Sequence, residues 1–186
     1  MDYDSLNIKL VIGLGNPGKR YAKTFHNAGF LFIDFLRDKF QEKFVEKPEV
    51  TSKKEYELTS IPGNDLVMLK PLSYMNNSGQ VTNNFLKYNG YNPEEILIAF
   101  DDLDIMLGEW KLHKDRFPKS HNGINSIHLS TGRTDYQYLR MGIETRGKKR
   151  RLQQSGEDYV LSKIDSKQME SLDAVFEDVY NSLDLV

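Results

Sequence analysis

His26 and Asp101 are the residues whose types most directly suggest chemistry. An imidazole takes a proton near neutral pH, and a carboxylate at its other ring nitrogen fixes the tautomer and supports the charge. His26 stands in Tyr21-Ala-Lys-Thr-Phe-His-Asn-Ala-Gly29, and Asp101 opens an acidic trio with Asp102 and Asp104. Such a pair would activate water directly, because the chain has neither cysteine nor a Gly-x-Ser-x-Gly elbow. Asn16, Asn76 and Asn122 each fall at a strand-to-helix or loop-to-helix junction. Singly, Asn76 and Asn122 read as helix caps. Three convergent amides would instead hold the carbonyl groups of a neutral substrate. The four histidines, His26, His113, His121 and His128, lack metal-ligand spacing, so no metal is expected.

Gly13-Leu-Gly-Asn-Pro-Gly-Lys-Arg20 matches G-x-G-x-x-G and nearly matches a phosphate loop, with Arg20 in the place of the magnesium-binding hydroxyl. A phosphate loop must open into a helix, yet helical periodicity begins only near Phe30. The run therefore reads as a tight turn rather than a nucleotide site, and no cofactor is expected.

The elements that would position these residues follow from periodicity. Residues 7–13 read as a buried strand ending at glycine. Phe30, Ile33, Leu36, Phe40 and Phe44 recur at helical spacing. Residues 55–60 and 66–70 form a hairpin signal across Pro62-Gly63-Asn64-Asp65. A helix is expected over 78–88 and a buried strand over 95–100, running directly into Asp101. Further strands are expected at 109–113 and 138–144, with a short helix around Ile124, Ile127 and Leu129 between them. Asp165 with Gln168 would cap a last helix. Strands alternating with helices give an α/β class, and the hairpin makes the sheet mixed. Ligands of open α/β sheets lie beyond the carboxyl ends of strands, where Asn16 and Asp101 fall.

Composition sets the bounds. A chain of 186 residues with 39% hydrophobic and 11% aromatic residues can bury a core without staples. Zero cysteines exclude disulfides and thiolate chemistry. No run approaches the ~18 apolar residues of a membrane span, and the N-terminus lacks a signal-peptide plan. A cytoplasmic protein without membrane contact is expected. Net charge is −2, but residues 111–151 hold 11 Lys/Arg against 3 Asp/Glu, while 155–186 hold 2 against 8. The basic stretch reads either as a solvated face or as a footprint for nucleic acid.

Gly13-Leu-Gly-Asn-Pro-Gly18, Phe25-His-Asn-Ala-Gly29, Met75-Asn-Asn-Ser-Gly79, Phe100-Asp-Asp-Leu-Asp104, His121-Asn-Gly123 and Leu139-Arg-Met-Gly142 occur in this order. In order and spacing, from about residue 8 to residue 163, the set resembles the bacterial-type peptidyl-tRNA hydrolase family. The resemblance implies one three-layer α/β/α domain over 1–186 with a mixed, mostly parallel twisted sheet. It also implies a metal-independent, monomeric enzyme that cleaves the ester between a peptide and the 3′ ribose of tRNA. By resemblance His26 is the base, Asp101 its partner and Asn16 the amide beside the ester. Tyr21, Asn76 and Asn122 line the peptide site, and Lys111 and Arg140 meet tRNA phosphates; Lys114, from the basic stretch, would join them. Arg116, Lys119, Arg133 and 148–151 would extend that basic surface. Phe25 stands where the family usually has arginine, Phe100 where it often has histidine, and Asp115–Ser120 replaces its glycine-rich run. A non-catalytic RNA-binding relative and a nucleotide-dependent enzyme are the competing readings. Retention of His26, Asp101 and the three asparagines argues against the first.

Overall fold

The computed structural model describes residues 6–114, 116–118, 120–183 and 185, and only the backbone of Lys148, Lys149 and Arg150. Its centre is β1 (Leu10–Gly13), whose four residues are all buried. Alternation along this strand serves two cores at once. Val11 joins one apolar cluster, and Leu10 and Ile12 join another on the opposite face.

Seven strands form one sheet. They are β1, β2 (Glu49–Ser52), β3 (Tyr56–Ser60), β4 (Val67–Pro71), β5 (Ile96–Met106), β6 (Trp110–Lys114) and β7 (Gln137–Glu144). Their spatial order is β2-β3-β4-β1-β5-β7-β6. The central strands β4, β1, β5 and β7 run parallel, while β3 and β6 run antiparallel to their neighbours. The sheet is thus mixed and mostly parallel, and the expected hairpin is the β3–β4 pair. The edge strand β2 has no counterpart in the sequence reading. All four of its residues are exposed, so it carries no alternating apolar signal.

The helices are α1 (Ala28–Lys43), α2 (Ser78–Asn89), α3 (Asn122–Thr131), α4 (Lys148–Gln153), α5 (Gly156–Val160) and α6 (Ser166–Leu183). Phe32, Leu36 and Phe40 of α1 join Leu172, Val175, Phe176 and Val179 of α6 over one sheet face. Phe85 of α2 with Ile124 and Ile127 of α3 covers the other. This is the expected three-layer arrangement. The Asp165–Gln168 capping box forms in both directions, at 2.9 and 2.8 Å. Ile124 and Ile127 of α3 are buried, while Leu129, which also marked this helix in the sequence, is 87% exposed.

Two differences bear on the site. The strand expected to end at Phe100 continues to Met106, because Asp101 and Asp102 still pair with Met141 and Gly142 of β7. The register shifts only beyond Asp102. Asp101 is therefore held by the sheet itself, not by a loop. The first residues of α1 also lie hard against β1. The Leu14 amide donates to the Ala99 carbonyl, and the Phe30 amide donates to the Leu14 carbonyl. A Cβ on Gly29 would overlap the Ala99 carbonyl and the Leu14 backbone, so only glycine permits this approach. We predict that Gly29→Ala lowers stability by at least about 1–3 kcal/mol, the usual cost of overpacking a closed contact. A urea midpoint equal to that of the parent protein would contradict it.

Candidate active site

His26 lies in a single 3-10 turn, Phe25–Asn27, immediately before α1. All three of its residues are buried. The turn lies over the end of the parallel strands, and Nδ1 of His26 meets both oxygens of Asp101, at 2.9 and 3.1 Å. From the start of α3, Nε2 of His121 meets the same carboxylate at 3.2 Å. Asp101 is 2% exposed, His26 8% and His121 7%.

The electrostatics follow from this geometry. Burial alone would push the Asp101 carboxyl up, but the two imidazoles and their hydrogen bonds hold it well below the usual carboxylate range. Burial likewise opposes protonation of His26. The charge and hydrogen bond of Asp101, with a contribution from Glu157, outweigh it and hold the imidazole above its ordinary 6.5. An ionised Asp101 accepts the Nδ1–H of His26, which leaves Nε2 as the basic nitrogen.

His121 is the partner that sequence reasoning missed. It is the N-cap of α3, and its Nδ1 accepts the Ile124 amide at 3.3 Å. With Nδ1 an acceptor, the ring hydrogen is on Nε2 and points at Asp101. His26 Nδ1, an Asp101 oxygen and His121 Nε2 lie within 4.8 Å of one another, a trio of metal-ligand types assembled from three elements. Spacing in the sequence could not reveal it. As wired, however, the Ile124 hydrogen bond makes Nε2 of His121 a donor, and a ring nitrogen carrying hydrogen is not a metal ligand. The arrangement is a hydrogen-bonded cluster built around one carboxylate.

Asn27 is the second residue without an assigned role. It precedes α1 in the N-cap position but makes no side-chain cap. Its side chain instead clamps the backbone of Asn16, accepting the Asn16 amide at 2.8 Å and donating to the Asn16 carbonyl at 3.0 Å. The Asn16 side-chain carbonyl in turn accepts the Met75 amide at 2.8 Å. That contact orients the side chain, so its NH₂ group is the end left for a ligand. Neither Asn76 nor Asn122 acts as a cap. The N-cap residues are Asn77 for α2 and His121 for α3, and Asn76 and Asn122 remain exposed.

Asn16, Tyr21, His26, Asn76, Asp101 and Asn122 all line one cavity of about 600 Å³. Six residues from distant parts of the chain thus converge as expected. Tyr74, Leu103, Pro118, Val160 and Leu161 supply apolar walls, and Asp104 and Glu157 add carboxylates. Lys111, Lys114 and Arg140 lie outside it. Lys111 and Lys114 project from β6 as exposed cations, and Lys111 is paired in register with Arg140. Arg140 is not the free cation the sequence suggested. Its Nε donates to the buried Asp102 at 2.6 Å, and its side chain is 15% exposed. Arg133 is similarly engaged, with Asp135 at 2.7 Å. Arg151 pairs with Glu144 at 3.3 Å. Lys119, Asp115 and the side chains of Lys148, Lys149 and Arg150 lie outside the described residues.

Replacing Asn27 by alanine would leave the buried Asn16 amide and carbonyl without partners. Each such group costs roughly 1–3 kcal/mol. We expect Asn27→Ala to lower the melting temperature and also to lower kcat, because Asn16 loses its position. Unchanged values for both would remove the clamp from the argument.

Comparison with known proteins agrees with the site. A family model described as peptidyl-tRNA hydrolase matches residues 10–186. The peptidyl-tRNA hydrolase of Neisseria meningitidis serogroup C is 37% identical over 169 residues, covering 91% of this chain and 85% of that protein. That of Thermotoga petrophila is 35% identical over 179 residues, covering 95% and 89%. The crystal structure of peptidyl-tRNA hydrolase from Acinetobacter baumannii superposes with a TM-score of 0.82 at 34% identity, covering 97% of this chain and 88% of that one. With its family motifs, its fold and its cavity in agreement, the chain belongs to the peptidyl-tRNA hydrolase family.

Proposed function

We propose that this chain hydrolyses the ester joining a peptide to the 3′ ribose of tRNA, with His26 as the base and no metal in the chemistry. Membership of the family makes it an ester hydrolase acting on peptidyl-tRNA. The observation that carries the mechanism is the ionised Asp101 at Nδ1 of His26, which leaves Nε2 basic inside the asparagine-lined cavity.

Nε2 of neutral His26 takes a proton from water. The water oxygen bonds to the ester carbonyl carbon, and Asp101 stabilises the imidazolium. The tetrahedral intermediate collapses as the 3′ oxygen leaves and takes the proton from His26. The free NH₂ of Asn16, or that of Asn76, supports the oxyanion, a role worth about 10²–10³ in rate for one donor. Asn76, Asn122 and Tyr21 hold the peptide. Lys111 and Lys114, with the outer edge of Arg140, bind tRNA phosphates. We read the chain as one domain over 1–186, acting as a cytoplasmic monomer. No helix of the described residues is long and apolar enough to cross a membrane.

The test is turnover of an N-blocked aminoacyl-tRNA by the purified, chelator-treated protein. His26→Ala should lower kcat by about 10²–10⁴-fold, the usual contribution of a general base. Turnover within a few-fold of the parent would sink the assignment. Loss of turnover in the parent with RNA binding retained would favour the non-catalytic reading. Because His26 must be neutral and its pKa is raised above 6.5, kcat/KM should fall on the acid side with a midpoint above 6.5. Asp101→Asn removes the charge that raises it. The midpoint should then move down while kcat falls.

Phosphate contacts release counterions, so KM for tRNA substrate should rise with salt. The joint Lys111→Ala, Lys114→Ala variant should flatten that rise with little change in kcat. A salt-independent KM in the parent protein would remove the basic surface from the reading.

A further inference from the structure

The helix α5 is too short to be stable alone, yet it forms one wall of the cavity. Gly156, Glu157, Val160 and the following Leu161 face the same space as His26. What fixes it is Tyr159, which is 5% exposed. One face of its ring stacks on Phe25, with centroids 5.0 Å apart and planes 20° from parallel. The Arg146 guanidinium also lies over the ring, 4.2 Å from its centre. The phenol oxygen donates to the Ile143 carbonyl at 2.8 Å and lies 2.7 Å from the Thr145 hydroxyl.

Arg146 is itself immobilised. Nε and Nη2 form a fork with the buried Glu144, at 3.0 and 2.8 Å. Nη1 donates to the carbonyls of Gln154 and Ser155, at 2.9 and 3.1 Å, where the chain enters α5. Beyond α5, the Ile164 amide donates to the Lys23 carbonyl, and Thr24 bridges Lys163. The wall is thus tied at its entry to Arg146 and at its exit to the segment that carries His26. Phe25, at the centre of that tie, is the residue next to His26.

The wall brings one group that the mechanism does not yet use. Glu157 is exposed in the cavity and, among the described residues, takes part in no ion pair or hydrogen bond. An unpaired carboxylate at a site for a polyanion is unfavourable for binding unless something positive forms beside it. The only cation that develops there during hydrolysis is the His26 imidazolium. Glu157 is exposed, so water screens the interaction in part and its effect on the buried His26 is small.

We propose that Tyr159, gripped between Phe25 and Arg146, fixes α5 as a rigid wall of the site, and that this wall holds Glu157 where its carboxylate stabilises the imidazolium formed on His26. Both are positioning residues: Glu157 acts through His26, and Tyr159 acts through Glu157. The proposal rests on His26 being the base. Among the described residues, the charged and titratable groups that meet His26 or share its end of the cavity are Asp101 from β5, His121 from the start of α3, Glu157 from α5, and Tyr21 and Tyr74 from the loops. Farther along the cavity are Asp104 and the Asp102–Arg140 pair.

The experiment is the pH profile of kcat/KM on an N-acetyl-aminoacyl-tRNA for the parent, Glu157→Gln, Tyr159→Phe, Tyr159→Leu and the Glu157→Gln, Tyr159→Leu double variant. Glu157→Gln should move the acid midpoint down by a few tenths of a pH unit and lower plateau kcat a few-fold. KM should not rise. Tyr159→Phe keeps the stack and should keep the parent midpoint. Tyr159→Leu should reproduce the Glu157→Gln shift, and the double variant should shift no further. A parent-like midpoint in Glu157→Gln overturns the proposal. Additive shifts overturn the coupling through Tyr159. Should Tyr159→Leu fail to fold, Phe25→Leu removes the same stack from its other side. Full activity in His26→Ala would instead overturn the base assignment itself, a different outcome from any of these.

Discussion

Everything at the site depends on one buried carboxylate. Asp101 is held by strand pairing in the middle of the sheet, and removing it from water is costly unless its oxygens are occupied by donors. Two imidazoles supply them, one from the turn before α1 and one from the start of α3. This arrangement links three elements that share no sequence neighbourhood: the turn before α1, the strand β5 and the start of α3. It also dictates the chemistry. A carboxylate that stays ionised can fix the protons of both rings, and of the two only His26 has a free basic nitrogen, because Nδ1 of His121 accepts the Ile124 amide. His121 contributes to this by using its other nitrogen as a helix cap, which orients its hydrogen toward Asp101. One side chain thereby terminates a helix and completes the electrostatics of a catalytic group.

Convergence of this kind requires close backbone approach. Gly29 lets α1 settle against β1, and the same contact carries the preceding turn, with His26, over Asp101. The Asn27 clamp then fixes the loop after β1 by its backbone, so that the Asn16 amide is aimed by geometry rather than by chance. A loop whose amide and carbonyl groups are both satisfied loses little further entropy when substrate binds. The absence of a side-chain cap on α1 is the local cost of giving Asn27 to this task.

How much of this was legible depended on whether a contact was local. The capping box at Asp165 and Gln168, the hairpin and the helix periods rest on neighbours a few residues apart, and all are present. The glycine run after β1 is a loop and turn, and α1 begins only at Ala28. By contrast, Asn27 looks like any N-cap, and its bond to Asn16 exists only because the intervening loop folds back. His121 belongs to a recognisable motif, but its contact with Asp101 joins the start of α3 to β5, twenty residues apart. Arg140 sits in a basic stretch, yet the carboxylate that engages it comes from a neighbouring strand. Type and spacing reveal which residues are available. Pairing across strands decides which of them remain free.

Three aromatic rings around the site obey one rule: each packs against a residue that shapes the cavity. Phe25 stacks on Tyr159. Phe100 meets the His121 ring edge-on, with centroids 5.0 Å apart. Phe117 meets His128 at 4.2 Å and Tyr138 at 5.4 Å, anchoring the segment that presents Pro118 to the cavity. Aromatic pairs contribute about 0.5–1.5 kcal/mol beyond their buried area. Rings packed in this way order the walls during folding rather than on binding, and they support the cavity around the hydrogen-bonded cluster.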